Sequence, residues 1–136
     1  MKKRVFAWLT LALALVMAVG SVTFLGACVH EDGSFGTCHW ASRALLGIGI
    51  LLAAQSGIAL AKGHAGAYLC MACTAALGLL LPGTLIRLCG MATMHCRAVM
   101  QPAMTLLNAG ILILALAGFL LETRRAKRGT PWNRCQ

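Results

Sequence analysis

Charged residues are scarce in this sequence. Only 11% of its 136 residues are charged, three of them acidic, whereas 60% are hydrophobic. A soluble domain is about half apolar and a quarter charged. Because small domains bury the smallest fraction of their surface, a soluble fold of this length has no interior large enough for so much apolar surface. The scarcity of charge therefore excludes a soluble domain and indicates that lipid solvates the chain.

The sequence also lacks the motifs of several functional classes. It has no Gly-rich phosphate loop, and its Ser, His and Asp residues are not arranged for acyl transfer. It has one tyrosine and no basic stretch interleaved with aromatics, so the net charge of +9 does not indicate nucleic-acid binding. The apolar segments hold no acid except Glu122 at one end, which argues against an intrinsic proton-coupled transporter.

Four apolar segments dominate the chain, over residues 5–27, 41–61, 65–86 and 103–121. Each approaches the roughly 20 residues that cross a hydrocarbon core of about 30 Å. None alternates with period two along its length, which favours helices over a barrel. The sequence therefore predicts an all-α polytopic membrane protein. Residues 1–136 form one domain, a compact bundle of four transmembrane helices.

The lysines and arginines predict the orientation of this bundle. With the N-terminus inside, nine of them are cytoplasmic and three (Arg43, Arg87 and Arg97) are outside. This bias predicts an N-in/C-in protein of the cell (inner) membrane. A tight inner turn at 62–64 joins helices two and three. The outer loops cover about 28–40 and 87–101, and residues 123–136 form a basic, mobile cytoplasmic tail.

The first segment has an alternative interpretation. Leu25-Gly26-Ala27-Cys28 resembles a bacterial lipoprotein cleavage box. Cleavage there would leave three helices and a lipid on Cys28. The apolar stretch is longer than the 7–15 residues of an ordinary signal core, which favours a retained helix.

Small and polar residues predict how the helices pack. Ala53, Gly57 and Ala61 recur every four residues, a stripe that lets helices approach closely. Gln55 and Asn108 lie inside apolar segments, so both are expected to face protein and bond between helices. Cys70-x-x-Cys73 lies inside the third segment, and we interpret these two cysteines as small buried hydrophobes.

Sulfur and imidazole concentrate in the predicted outer loops. Cys28 and Cys38 flank the first loop, while Cys89 and Cys96 lie in the second. Three of the four histidines and several methionines accompany them: His30, His39, His95, Met91, Met94, Met100 and Met104. Since the outer compartment of many bacteria is oxidising, the leading interpretation is a set of disulfides that staple the loops, with their connectivity left open.

A redox function is the first alternative. DsbB and vitamin K epoxide reductase, which pass electrons from thiols to a quinone, share the predicted order of elements. That order is a helix, a cysteine loop, two helices, a second cysteine loop and a helix. Cys38 adjoins His39, and Cys96 lies between His95 and Arg97. A neighbouring cation lowers the pKa of a thiol and activates it. However, neither outer loop carries the Cys-x-x-Cys pair typical of those enzymes.

Metal binding is the second alternative. Soft sulfur ligands and one imidazole concentrate in Cys89-x-Met91-x-x-Met94-His95-Cys96, and His39 in the other outer loop is a further candidate ligand. Soft sulfur donors suit copper(I), and Cys/His sets suit zinc. Haem ligation by an outer histidine belongs to the same class. The default expectation is that no cofactor is bound.

One family resemblance spans nearly the whole chain. Cys38-His39-Trp40 and Pro82-Gly83-Thr84-Leu85-Ile86, followed by Cys89, Met94 and Cys96, resemble the bacterial family called domain of unknown function 4418. The resemblance implies a four-helix membrane protein. Genes of that family often lie near ABC-type permeases of the MacB/FtsX kind, which implies an accessory role beside a transporter.

The chain departs from the family pattern at two places. Ala41-Ser42-Arg43 follows Cys38-His39-Trp40 where a small residue, Gly and Gln are usual, and Met94-His95-Cys96-Arg97 replaces Met-Arg-Cys-His. The sequence thus favours a non-enzymatic accessory protein with disulfide-paired or metal-binding outer loops. Its expected partners are the lipid bilayer and an ABC-type permease or metal-uptake system. The alternative is a membrane thiol–quinone oxidoreductase.

Overall fold

Four α-helices make up most of the part of the chain that the structure describes. The computed structural model describes residues 2–23, 37–63, 65–81, 84–85 and 96–128. The helices are α1 (Lys2–Val22), α2 (Thr37–Lys62), α3 (Ala65–Leu80) and α4 (Gln101–Arg128), and a π-helical turn (Cys96–Met100) leads into α4. The described residues contain no strand. The predicted all-α fold is confirmed.

Helices α1 and α2 run antiparallel. Near one end, Ser42 Oγ donates a hydrogen bond of 2.6 Å to the carbonyl oxygen of Ser21. Nearer the other end, Ser56 Oγ lies 3.2 Å from Thr10 Oγ1. The residue number rises along α1 as it falls along α2, so the two helices form a hairpin.

Helices α3 and α4 pair in the same reversed order. A Cβ placed on Gly78 would meet the side chain of Asn108, and one placed on Gly118 would meet the ring of Tyr68. Each helix packs against two others, since α1 also contacts α4 and α2 also contacts α3. The chain is therefore an up-down-up-down bundle.

The bundle has two distinct ends. The start of α1, the α2–α3 turn and the end of α4 lie together, and we call this the terminal end. The end of α1, the end of α3, the start of α2 and the π-helical turn lie at the other, which we call the cysteine end because Cys38 and Cys96 belong to it. The start of α1 and the end of α4 thus lie on the same side of the bundle.

Three of the helices are long and apolar enough to cross a membrane. The stretches are Val5–Val22, His39–Ala61 and Ala98–Arg124. Helix α3 is shorter, with 16 residues. At 1.5 Å per residue it is about 24 Å long, somewhat less than a typical hydrocarbon core. A helical hydrogen bond from Leu81 N–H to the Leu77 carbonyl (3.1 Å) continues it by one residue.

The helix ends differ from the predicted boundaries. Helix α2 begins at Thr37 and not at 41, so Cys38, His39 and Trp40 belong to its first turn and not to a loop. Helix α4 continues to Arg128, into the region predicted as a mobile tail. Residues 122–128 are mostly good helix formers such as Glu, Arg, Ala and Lys, so the helix persists beyond the apolar segment.

The π-helical turn before α4 has a local cause. Pro102 lies in the first turn of α4 and has no N–H, and in a regular helix its ring would conflict with the carbonyl of Ala98. The wider i→i+5 pattern of Cys96–Met100 relieves this conflict. Residues 96–100, predicted as part of an outer loop, are therefore helical.

A glycine makes the turn between α2 and α3. Gly63 has a φ of 61°, and its N–H donates to the Ala59 carbonyl at 2.9 Å. A left-handed residue directly after a helix is the usual C-terminal cap, and glycine adopts it without steric cost. Because α3 begins two residues later, α2 and α3 form the tight hairpin that the sequence predicts.

The interior of the bundle is built mainly from small residues and methionine. Eight buried alanines line it, together with buried methionines and hydroxyl residues: Ala7, Ala14, Ala18, Ala41, Ala59, Ala72, Ala75, Ala115, Met17, Met71, Met100, Met104, Thr10, Ser21, Ser42 and Ser56. Many leucines, isoleucines and valines point outward instead. Lipid tails solvate those side chains, so helices associate in lipid through close contact of small residues.

Helices α1 and α2 approach closely at Gly49. A Cβ on Gly49 would come within 3.0–3.1 Å of the backbone N, Cα and Cβ of Ala18 in α1. The predicted stripe lies elsewhere: Ala53 packs against the core, but Ala61 is exposed and a Cβ placed on Gly57 would have nothing within 4 Å. At Gly57 and Ala61 the stripe therefore makes no close contact among the described residues.

We expect Gly49→Ala to destabilise the protein and Gly47→Ala not to. At position 49 the new methyl group meets the α1 backbone, and such overpacking costs about 1–3 kcal/mol. At position 47 nothing lies within 4 Å, so the helix preference of alanine is unopposed. Denaturant titration of the purified protein in micelles, followed by circular dichroism, compares the two. Equal stability of the two variants would contradict the close approach.

Candidate functional site

The predicted outer sulfur cluster is placed in part. Cys28, Cys89, Met91, Met94 and His95 lie outside the described residues. The backbone of Cys38 belongs to the first turn of α2, and Cys96 begins the π-helical turn. The structure thus places two of the four predicted disulfide or redox positions at the cysteine end, each at the start of a helical segment.

These two helix starts lie at different corners of the bundle. Helices α2 and α4 each pack mainly against α1 and α3. Cys38 and Cys96 therefore start diagonally related helices. The face of the cysteine end between them is bounded by the ends of α1 and α3.

His39 and Trp40 form an aromatic pair at the cysteine end. Their ring centroids are 6.1 Å apart, with an interplanar angle of 86°. This edge-to-face arrangement is one that aromatic rings favour. The His39 ring is partly buried, whereas Trp40 is exposed. In the described part of the chain, no three His, Cys, Asp or Glu side chains gather as metal ligands, so the metal set proposed around His39 stays a prediction.

Two methionines of the predicted outer group lie inside the bundle. Met100 and Met104 are 1% and 0% exposed. The expectation that they accompany the outer-loop cysteines is therefore wrong. Met100 ends the π-helical turn and Met104 lies in the first turn of α4, so this part of the chain already packs into the core.

Four polar atoms meet inside the bundle between α1, α2 and α3. Ser56 Oγ lies 2.8 Å from the Leu52 carbonyl, 3.2 Å from Thr10 Oγ1 and 3.3 Å from Met71 Sδ. Thr10 itself donates to the Ala7 carbonyl at 2.9 Å. Because the Ser56 hydroxyl has one proton, it satisfies one of its three neighbours at a time. This cluster ties three helices together in the half of the bundle nearer the terminal end.

A second polar centre lies between α4, α1 and α3. The Asn108 side chain is fully buried, and its amide donates to the Met104 carbonyl at 2.9 Å and to Met17 Sδ at 3.4 Å. Between α2 and α3, Gln55 Nε2 donates to Thr74 Oγ1 at 3.0 Å. The prediction that Gln55 and Asn108 face protein and bond between helices is confirmed.

The side-chain amide oxygen of Asn108 is held in place by close packing. Its Oδ1 is buried without a hydrogen-bond partner among the described residues, as is Gln55 Oε1. A Cβ on Gly78 would collide with Asn108 Oδ1, so the amide oxygen fills the space that a side chain would need there. Only glycine at position 78 leaves room for this buried amide.

The terminal end holds the bulkiest interior side chain. The ring of Tyr68 is 2% exposed and packs where a Cβ on Gly118 would come within 2.6 Å of it. Glu122 in α4 is close enough to Tyr68 to interact with it electrostatically. Glu122 is the one acidic residue in the described part of the chain. The interior centres at Ser56 and Asn108 contain no titratable group, so their chemistry is hydrogen bonding.

Cys70 and Cys73 lie on the outside of the bundle. Both are free thiols and exposed, three residues apart on α3. The interpretation of these cysteines as buried side chains is therefore wrong. The buried positions of α3 are Tyr68, Met71, Ala72, Ala75 and Gly78, which form the opposite face of the helix. Sequence spacing shows that the two cysteines share a face, but not which face packs inward.

Comparison with known proteins identifies a family. A family model described as Domain of unknown function (DUF4418) matches residues 10–122. No curated protein and no solved structure matches the chain. The matched range runs from Thr10 to Glu122, so it contains both buried polar centres and the cysteine end.

We expect Gly78→Ala to destabilise the bundle far more than Gly66→Ala. The methyl group at 78 collides with the buried Asn108 amide, at a cost of about 1–3 kcal/mol, whereas position 66 is open. Thermal unfolding of the purified protein measures both. The double variant Gly78→Ala/Asn108→Ala should recover part of the loss. If Asn108→Ala brings no recovery, the Gly78–Asn108 contact is not the cause.

Proposed function

The chain belongs to the DUF4418 family, and we propose that it is a multi-pass inner-membrane protein with a non-enzymatic accessory role. The bundle would act as an anchor, and the segments at its cysteine end would form the working surface. One observation carries this proposal: Cys38 lies in the first turn of α2 and Cys96 begins the π-helical turn, both at the end of the bundle opposite to the start of α1 and the end of α4.

The exposed tryptophans support a placement across the membrane. Trp8 and Trp40 are both exposed, on α1 and α2. The Thr10–Ser56 contact puts Trp8 level with Ile58 of α2. Eighteen residues separate Ile58 from Trp40, about 27 Å at 1.5 Å per residue. Tryptophan concentrates at both membrane interfaces, and this distance is close to the thickness of a hydrocarbon core.

The charges support an N-in/C-in orientation. Helix α1 begins with Lys2, Lys3 and Arg4, and α4 ends with a basic turn that includes Arg124 and Lys127. Because both stretches lie at the terminal end, the positive-inside rule places this end in the cytoplasm. The cysteine end then faces the outside.

We expect reporter fusions to agree with this orientation. Alkaline phosphatase fused after residue 136 should be inactive, because that enzyme needs the oxidising outer compartment to form its disulfides. Green fluorescent protein fused there should fluoresce. A phosphatase inserted after Gly33, between α1 and α2, should be active. An active phosphatase at the C-terminus would contradict the orientation.

The oxidising outer compartment supports a structural role for the cysteines. Cys28, Cys38, Cys89 and Cys96 would pair as disulfides, or hold a metal with His39, Met91, Met94 and His95, and so shape a surface for a membrane partner. Such a partner would be an ABC-type permease or a metal-uptake system. Disulfides that staple loops resist mild reductants, whereas catalytic disulfides are labile.

We expect the outer cysteines to resist a membrane-impermeant maleimide in intact cells. After strong reduction, Cys38 and Cys96 should react, since their disulfides open. A variant with serine at Cys70, Cys73 and Cys135 serves as the matched background, because it keeps all four outer cysteines. Gel shift of the purified protein counts the labelled thiols. Labelling after mild reductant alone would contradict a structural role.

The geometry also favours a second candidate, a membrane thiol–quinone oxidoreductase. Positions at the first turn of a helix stabilise anions through the helix dipole, and Cys38 and Cys96 occupy such positions. A redox enzyme would use Cys38, Cys89 and Cys96 as exchanging thiols. Copurification of a quinone with the protein, together with a labile outer disulfide, would favour this function over the accessory role.

A further inference from the structure

The exposed thiols of α3 have no role in the packing of the bundle. Cys70 and Cys73 are both free and exposed, while the core of α3 uses its other face. Leu69, Leu77 and Leu80 are the large apolar residues exposed on the same helix. Two thiols among leucines on a lipid-facing surface add little to burial. The reactivity of an unburied cysteine, more than its packing, decides what it does.

Cys70 lies close to the level of Trp8, which the proposed placement puts at one membrane interface. Ser56 Oγ is 3.2 Å from Thr10 Oγ1 and 3.3 Å from Met71 Sδ, so Thr10 and Met71 are at the same level of the bundle. Trp8 is two residues from Thr10, and Cys70 is next to Met71. Cys70 therefore lies within about one helical turn, 5.4 Å, of the level of Trp8, and Cys73 lies about 4.5 Å further from the terminal end at 1.5 Å per residue.

The helix spacing disfavours a disulfide between these thiols. Cβ atoms three residues apart on a helix are about 5–6 Å from each other. A disulfide needs about 3.5–4.5 Å between Cβ atoms. Cys70 and Cys73 both lie within the regular part of α3, and so does Thr74, whose hydroxyl donates to the Cys70 carbonyl at 2.9 Å. Closing a disulfide would distort this turn.

The same spacing suits one bridging metal ion. Two metal–thiolate bonds of roughly 2.3 Å place the sulfurs about 4.6 Å apart when the ion has two ligands in line. That separation fits two side chains whose Cβ atoms are about 5–6 Å apart. A tetrahedral ion such as zinc needs four ligands, and the described residues hold no group of three or more His, Cys, Asp or Glu ligands.

We propose that Cys70 and Cys73 form a two-coordinate thiolate site for a soft monovalent cation, copper(I). Soft thiolate donors select this ion. Binding breaks two S–H bonds, forms two S–Cu bonds and releases two protons to water, with no transfer of electrons. The site rests on the proposed orientation in one respect: the terminal end would face the reducing cytoplasm, where thiols stay reduced.

An anaerobic copper(I) titration of the full chain in micelles tests this site. Copper(I) is added as a complex with a coloured chelator, and the protein competes for it. Wild type should retain one equivalent more than Cys70→Ser/Cys73→Ser. Each single variant, including Cys73→Ala, should lose that equivalent, because one thiolate is not enough. The lost equivalent should also remove thiolate-to-copper absorption in the ultraviolet.

The matched control changes the same face without changing its thiols. Leu69→Ser/Leu77→Ser adds two hydroxyls to the exposed side of α3 and should retain the wild-type copper content. Equal copper binding by wild type and Cys70→Ser/Cys73→Ser would overturn the proposal. So would mass spectrometry that finds a Cys70–Cys73 disulfide in protein kept under reducing conditions. Neither result depends on the outer cysteines, so the proposed accessory function is tested separately.

Discussion

Lipid tails surround a leucine as favourably as another helix does, and the architecture of this protein follows from that constraint. Helices in a bilayer gain little by hiding large apolar side chains, so their association depends on close backbone approach and on buried hydrogen bonds. The interior accordingly consists mainly of alanines, hydroxyl residues and methionines, while many of the leucines and isoleucines face outward. Three glycines leave room for close packing, at Gly49 against Ala18, Gly78 against Asn108 and Gly118 against Tyr68.

The buried polar groups set the register of the helices as well as holding them together. Three hydrogen bonds each join two helices at one height: Ser42 to Ser21, Ser56 to Thr10 and Asn108 to Met17. A shift by one turn would break these interhelical contacts in a medium that offers no polar replacement. The register in turn brings the starts of α2 and the π-helical turn to the same end. The position of Cys38 and Cys96 is therefore a consequence of contacts made deep in the bundle.

Much of the fold was predictable from the sequence because the apolar segments are long and the charges lie at their ends. The all-α bundle, the tight turn at Gly63 and the interhelical bonds of Gln55 and Asn108 follow from that pattern. The helix boundaries could not be predicted in the same way, since Cys38-His39-Trp40 and Cys96–Met100 resemble loop sequence but are helical.

The inward face of each helix was also beyond sequence reasoning. Every segment is apolar all round, so periodicity could not show that Cys70 and Cys73 face outward or that Met104 faces inward. The same lack of contrast made Ala53, Gly57 and Ala61 resemble a contact stripe. Distances between helices decide these questions, and spacing along one helix does not.

Photo-crosslinking in living cells tests whether the cysteine end is the working surface of the protein. A photoreactive residue replaces exposed Trp40 at the cysteine end, and the control replaces exposed Ile113 on the lipid-facing side of α4. We expect a discrete adduct with a membrane permease from position 40 and none from position 113. Equal adducts from the two positions, or a permease adduct from position 113 alone, would show that the working surface lies elsewhere.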